Sequence, residues 1–274
     1  MDTILFNSEL VRIAEFQLNP DESQFSQQGF IAEPLIVFPK HPIWIQHEGR
    51  AAFVADTSKV NLYNKNQVYR RAAIDPDGDY CHSFHLNEEV LLQLGERNEN
   101  HQRVFQFDHI NCSRQAFIKQ LQILTALQQP LTSMLEIEEQ TINLFSLVLN
   151  QHRITKPIKI QSRQYNRHQA LIESVKSTLQ NNLRDNLSLQ QIASKNHTSP
   201  FHLSRLFKQL CGMGLNQYRQ QQKLRSACLL ILNEVGLTEI AMQFGFASHS
   251  HFGASFKNYF GMTPSQFRRN RAII

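Results

Sequence analysis

Along the first 105 residues the apolar side chains come in short runs that no helical stripe connects. Pro34-Leu35-Ile36-Val37-Phe38, Ile43-Trp44-Ile45-Gln46, Ala51-Ala52-Phe53-Val54 and Lys59-Val60-Asn61-Leu62-Tyr63 are rich in β-branched and aromatic residues. Pro, Gly, Asp or Asn separates them. Asp75-Pro76-Asp77-Gly78-Asp79 is the clearest turn, leading into Tyr80-Cys81-His82-Ser83-Phe84-His85-Leu86. Short strands at close spacing predict a small antiparallel barrel or sandwich. From Ser113 the period changes to three and four, through Phe117, Leu121 and Leu124, then, after Pro130, through Leu135, Ile142, Phe145, Val148 and Leu149. That spacing predicts a helical hairpin, which either covers one side of the barrel or forms a dimer seam. Residues 151–166 carry four basic side chains, no acidic ones and no apolar stripe, and are expected to be a linker.

The remaining chain predicts an all-helical domain whose helices are punctuated by caps. A first helix is expected from about Arg167 to Asn182. Ser188 with Gln191 three residues on is a capping box for a second, which closes near Lys195. Asn196-His197-Thr198 is a turn, and Ser199-Pro200 supplies the N-cap and first-turn proline of a third helix, ended by Gly212. A long fourth helix runs from about Leu215 to Asn233. Thr238 is expected to cap a fifth, Gly245-Phe246-Ala247 to make a second turn, Ser248 to cap a sixth that Gly261 ends, and Thr263-Pro264 to start a last short one. The predicted organisation is α+β: a barrel domain with its hairpin over 1–150, the linker over 151–166 and a helical domain over 167–274.

Within the helical domain one pattern is written twice. Leu206-Phe207-Lys208-Gln209-Leu210-Cys211-Gly212-Met213 recurs 49 residues on as Ser255-Phe256-Lys257-Asn258-Tyr259-Phe260-Gly261-Met262. Upstream, Leu189, Ile192 and Ala193 recur as Leu237, Ile240 and Ala241 at an offset of 48. A small helical unit is used twice, and each copy reads helix, short turn, helix, the form of a helix-turn-helix.

Charge gives the duplication a purpose. The net +5 conceals an uneven split: residues 1–150 hold 11 basic against 19 acidic side chains, residues 151–274 hold 17 against 4, or −8 and +13. The basic half suits a polyanion. The 41% of apolar residues describes a folded chain, and no stretch approaches a membrane span, so a cytoplasmic protein without a membrane partner is expected. Cys81, Cys112, Cys211 and Cys228 match neither a metal-site spacing nor a disulfide framework.

Helix periodicity sorts the faces of the two second helices. On the third helix Leu203, Leu206, Phe207 and Leu210 fall together and predict a core side. Phe201, Arg205, Lys208 and Gln209 then lie outward, with His202 and Ser204 at the edges. On the sixth helix Phe252, Ser255, Phe256 and Tyr259 are the core side. Ser250, Ala254, Lys257 and Asn258 lie outward, flanked by His249, His251 and Gly253. An arginine suits a guanine edge, Ser and His suit base edges or phosphate, and Lys suits phosphate. The candidate DNA-contacting residues, counting the two caps, are therefore Ser199, Phe201, His202, Ser204, Arg205, Lys208, Ser248, His249, Ser250, His251, Gly253, Ala254 and Lys257.

The segments LSLQQIASKNHTSPFHLSRLFKQLCGMGLNQY (187–218) and GLTEIAMQFGFASHSHFGASFKNYFGMTPSQFRR (236–269) resemble the AraC-type bacterial transcription regulators. The resemblance implies two helix-turn-helix units joined by the long fourth helix, entering successive major-groove segments of double-stranded DNA about 34 Å apart. By the family pattern the base-facing positions fall on Phe201, Ser204 and Arg205, then on His249, Ser250, Gly253 and Ala254. Many relatives carry arginine or another polar residue where Ala254 stands, and a polar one at Gly253. The two copies say the same, since Phe201 corresponds to Ser250 and Arg205 to Ala254. The first copy is expected to supply most base discrimination. More loosely, the N-terminal half resembles the cupin-like sensory barrel of these regulators, which implies a small-molecule effector or a homodimer surface. RNA polymerase is a further partner of such regulators.

Two other readings remain open: a DNA-binding protein whose barrel only dimerises, and a metal-dependent cupin enzyme fused to a DNA-binding domain. For the latter His82, His85, Glu88 or Glu89, His41 and His47 are the candidate ligands, yet His82 and His85 would point to opposite faces of a strand. The HxH-plus-glutamate spacing that resembles a metal cupin is absent, as are a nucleophile elbow, a phosphate loop and a paired Cys/His signature. No enzyme, cofactor or metal is expected. Trp44, Tyr63, Tyr69, His47 and Arg70 are candidate pocket-lining residues.

Overall fold

The computed structural model describes residues 2–94, 104–154 and 163–269, and the chain divides into two compact units, Met1–Pro157 and Ile158–Ile273. In the first, β1 (Asp2–Asn7), β2 (Val11–Leu18), β3 (Gly29–Ile31), β4 (Leu35–Pro39) and β5 (Ile43–His47) are followed by β6 (Phe53–Ala55), β7 (Lys59–Tyr63), β8 (Gln67–Ala73) and β9 (Asp79–Leu86). A short helix α1 (Glu88–Leu94), which the sequence pattern did not announce, precedes β10 (His109–Asn111). The strands form a six-stranded sheet ordered β1-β2-β9-β4-β7-β10 and a four-stranded sheet ordered β3-β8-β5-β6. Every pairing is antiparallel. The antiparallel β-domain is thus built as two hydrogen-bonded sheets rather than one closed ladder, and the tight turn between β6 and β7 passes the chain from one to the other.

Strand alternation sets the two faces of the six-stranded sheet. Ile13, Ile36 and Phe84 are wholly buried on one face, while Ala14, Val37, Cys81 and Ser83 line a cavity on the other. Helices α2 (Arg114–Ala126) and α3 (Met134–Ile154) pack against each other, and α3 also packs against β9. The Ser113 side chain caps α2 by accepting from the Ala116 N–H. Burial on α3 follows Ile137, Leu144, Phe145, Val148 and Leu149. Leu135, which the spacing placed in that stripe, is 64% exposed while Ile137 is buried, because two residues along a helix turn the side chain about 200° around the axis, onto the opposite face. The expected linker 151–166 is entered from both sides, by α3 up to Ile154 and by α4 (Arg163–Asn181) from Arg163. Residues 155–162 lie outside the described residues.

The second unit contains α4, α5 (Leu189–Lys195), α6 (Pro200–Cys211), α7 (Leu215–Leu232), α8 (Leu237–Gln243), α9 (His249–Phe260) and α10 (Pro264–Arg269). Its first half packs an aliphatic core, with Ile172, Val175, Leu179, Ile192, Leu203 and Leu206 around Phe207 and Tyr218. The second half is aromatic: Phe256 stacks against Phe252, Phe260 and Phe267 at centroid separations of 5.7, 4.5 and 5.6 Å. Among the described residues no helix is long and apolar enough to cross a membrane.

Candidate nucleic-acid interface

The two second helices, α6 and α9, are built alike from local chemistry. Ser199 and Ser248 sit in extended backbone, and their hydroxyls accept from the N–H of His202 and His251 respectively. Each thereby satisfies one of the donors left over at a helix start. Gly212 and Gly261 close the helices with φ of 72° and 82°, the left-handed conformation that glycine adopts without a Cβ clash. The capping box of α5 is complete: Ser188 Oγ accepts from the Gln191 N–H at 3.2 Å, and Gln191 Oε1 from the Ser188 N–H at 2.8 Å. Thr238 does not cap α8. The helix starts at Leu237 with Gly236 at the cap position and no side-chain hydrogen bond there.

The outward faces match the pattern. Leu203, Leu206, Phe207, Phe252 and Phe256 are buried. Phe201, His202, Ser204, Arg205, Lys208, Ser248, His249, Ser250, His251, Ala254 and Lys257 are exposed, as is Ser199, and Gly253 is half-buried. Phe201 stands out, a phenyl ring 78% exposed at the start of α6. Two candidates turn partly back onto the protein. The His202 ring meets His168 at 5.7 Å, and His251 meets Phe246 at 5.6 Å, both edge-on.

Several basic side chains of this half are spent internally, which composition alone does not reveal. Arg225 is completely buried and donates from Nε to the Tyr259 hydroxyl at 2.9 Å, tying α7 to α9. Lys223, buried, donates to Asn186 Oδ1 at 3.2 Å, and burial with the nearby Arg219 guanidinium lowers its pKa to about 8. Lys176 pairs with Glu173 at 2.7 Å. Arg219 holds the Leu187 carbonyl at 2.8 Å, and Arg268 holds that of Val235. What remains outward on α6 and α9 is Arg205, Lys208 and Lys257.

In the first unit the candidate pocket residues separate. Tyr63 and Tyr69 line a cavity between the sheets, and His47, buried, lies 3.0 Å from Asp108 Oδ1 at a smaller cleft. Neither cleft includes Trp44 or Arg70. Arg71 and Asn61 do line the inter-sheet cavity, and were missed. The signal was available, since Tyr69 and Arg71 are two apart on one strand and share a face, whereas Arg70 takes the other. His82 and His85 diverge as expected: His82 lies 3.5 Å from Glu15 on the face away from the cavity, and His85 lines the cavity. Among the described residues His41 also meets two acidic side chains together: one of its ring nitrogens lies within 4.8 Å of a carboxylate oxygen of Asp75 and of Asp77.

A duplicated, basic, capped helix-turn-helix unit joined to a two-sheet domain defines a DNA-binding regulator with a separate N-terminal domain. Residues 192–270 match the family model described as a helix-turn-helix domain. The probable transcription factor PqrA of Proteus vulgaris is 33% identical over 101 residues, 36% of this chain and 81% of that protein. A solved AraC-type DNA-binding-domain regulator from Chromobacterium violaceum is 30% identical, with 38% of this chain and 94% of that one covered and a TM-score of 0.37. An apo ToxT variant from Vibrio cholerae is 15% identical, with 96% and 98% covered and a TM-score of 0.38. The chain belongs to the AraC-type family of helix-turn-helix, DNA-binding transcription regulators.

Proposed function

We propose that the protein recognises a two-part duplex site by laying α6 and α9 in successive major-groove segments, and that α6 does most of the discriminating. The observation that carries this reading is the register-matched pair of exposed faces, 49 residues apart and unequal in chemistry. On α6 the positions at the groove are Phe201, Ser204 and Arg205. An exposed arginine supplies donors to guanine O6 and N7, and a phenyl ring packs on a thymine methyl or a sugar. The equivalent positions on α9 are Ser250, Gly253 and Ala254, with His249 beside them. Ser199 and Ser248, with the helix starts they cap, approach phosphate, while Lys208, Lys257, His202 and His251 add anchoring.

The N-terminal two-sheet unit, on this reading, senses a small molecule in its inter-sheet cavity and changes the regulator's hold on DNA in a cytoplasmic homodimer that engages RNA polymerase at the promoter. A cavity of about 420 Å³ supports it, a size ordinary for a small-ligand site. Selection of binding sites from random duplexes tests the asymmetry. The expected result is a site with one strongly specified segment and a second, weakly specified segment about one helical turn away. Equal sequence information in both segments would refute the ranking of α6 over α9.

A further inference from the structure

The inter-sheet cavity contains a buried cation, Arg71, two of whose nitrogens have no hydrogen-bond partner among the described residues. The Arg71 side chain, on β8, is 5% exposed. Its Nη2 donates to the Tyr69 hydroxyl at 2.7 Å, but among the described residues Nε and Nη1 find no hydrogen-bond acceptor. Asp79, on β9 of the opposite sheet, comes within 3.5 Å of Nη1 without forming a hydrogen bond. Burial raises the pKa of Asp79 to about 6, so near neutral pH it is a counter-ion to Arg71 across the cavity, but it leaves the Nε and Nη1 hydrogen bonds unfilled. Phe16 and Tyr69 flank the guanidinium at 4.9 and 5.1 Å from their ring centroids. A guanidinium shut away from water and left with free donors is costly unless something fills them. The space beside it is real, and its remaining walls include Leu35, Val37, Ile43 and Ile45. Another lining residue, on β7, presents a second unfilled group: Asn61 is 2% exposed, and among the described residues its Oδ1 has no donor.

We propose that this cavity is the binding site of a small organic carboxylic acid, its carboxylate received by the Arg71 guanidinium and its apolar body lying between the two sheets. A carboxylate matches a guanidinium edge in both charge and plane, which a neutral amide or alcohol does not. The aliphatic walls take a hydrocarbon or aryl body, and a hydroxyl or amine on that body would find Asn61 Oδ1. Entry is marked by two exposed apolar residues on the outer strands of the two sheets, Ile4 on β1 at 60% and Phe30 on β3 at 62%, which both line the cavity. This proposal rests on reading the N-terminal unit as a sensor, and adds the chemistry of what it senses.

The test uses the intact protein and matched pairs of probes, benzoate with benzamide and octanoate with octanamide, titrated by calorimetry. One acid of the panel should bind saturably at one molecule per chain, and its amide about tenfold or more weaker. Arg71→Gln should remove the acid's advantage over its amide, and Arg71→Lys should restore part of it, while affinity for a selected duplex without ligand stays unchanged. Binding of acid and amide alike, an Arg71→Gln protein that still prefers the acid, or no binding by either acid would overturn the proposal; the first and third need no variant to fold. An acid that binds without altering duplex affinity leaves the site standing and sinks the sensor reading. An amide that binds and alters duplex affinity, with acids inert, does the reverse.

Discussion

Burial acts in opposite senses on two titrating side chains that line the inter-sheet cavity. Asp79 has its pKa raised to about 6 from an ordinary 3.8, chiefly because burial penalises the carboxylate. His85 has its pKa lowered to about 4 from 6.5, first by burial and then by the neighbouring Arg12 guanidinium. A raised carboxyl stabilises the fold fully below the unfolded pKa and loses that contribution as pH rises through 6. A lowered imidazole works the other way, its contribution being lost as pH falls from 6.5 towards 4. Between pH 4 and 6 the two slopes therefore oppose each other. Melting temperatures of the N-terminal unit followed across that range should rise more steeply with pH in Asp79→Asn than in the parent, and less steeply in His85→Gln. The Asp79 contribution amounts to about 1–3 kcal/mol over the window. Parallel curves for all three proteins would show that neither group titrates as its burial demands.

At the scale of the element, three glycines of the helical unit separate the reasons for which a chain keeps glycine. Gly253 lies within α9, and a Cβ added there meets nothing within 4 Å. Gly253→Ala should stabilise the fold by about 0.5–1 kcal/mol through helix propensity. Gly212 ends α6 at a φ of 72° with open space around it, so Gly212→Ala should cost about 1–2 kcal/mol for the left-handed conformation alone. Gly245 combines a φ of 62° with a Cβ position 2.8 Å from the Arg184 carbonyl oxygen. It lies where the turn before α9 abuts the chain leading into α5, and Gly245→Ala should be the most damaging of the three. Denaturant midpoints in any other order would contradict this ranking. Such stops and caps were legible in the sequence because they are local: Ser188, Ser199, Ser248, Gly212 and Gly261 each act within four residues. Thr238 misled because a threonine near a helix start looks like a cap wherever it falls, and the true boundary, Gly236, has no side chain to announce it. The strands were harder. β8 carries Arg70 and Arg71 side by side, one solvated and one sealed in, and only the pairing of β8 with β5 and β3 decides which is which. For the same reason the cavity, which is made by strands distant in sequence, could not be read from any single stretch.

For the whole molecule the consequential quantity is how much of the positive charge faces outward. Residues 151–274 carry a formal +13, but Lys176, Lys223, Arg219, Arg225 and Arg268 are buried or bonded within the fold. The N-terminal half is formally −8 and offers no compensating attraction to phosphate. DNA affinity should therefore depend on salt as a small number of phosphate contacts would make it, not as thirteen would. With about four to five contacts the slope of log K against log[salt] is roughly −3.6 to −4.5, and a fourfold rise in salt weakens binding about 150- to 500-fold. The slope also sorts the outward residues by role. Lys208→Ala and Lys257→Ala should each reduce its magnitude by about one and weaken all duplexes alike, as loss of a phosphate contact requires. Arg205→Ala should cost about 1–3 kcal/mol on the selected site, erase preference at one or two base pairs, and leave the slope nearly unchanged, because a base edge releases no counterion. A salt slope that drops with Arg205→Ala while base preference survives would place that arginine on the backbone, and the discrimination between the two segments would then have to come from Phe201 and Ser204.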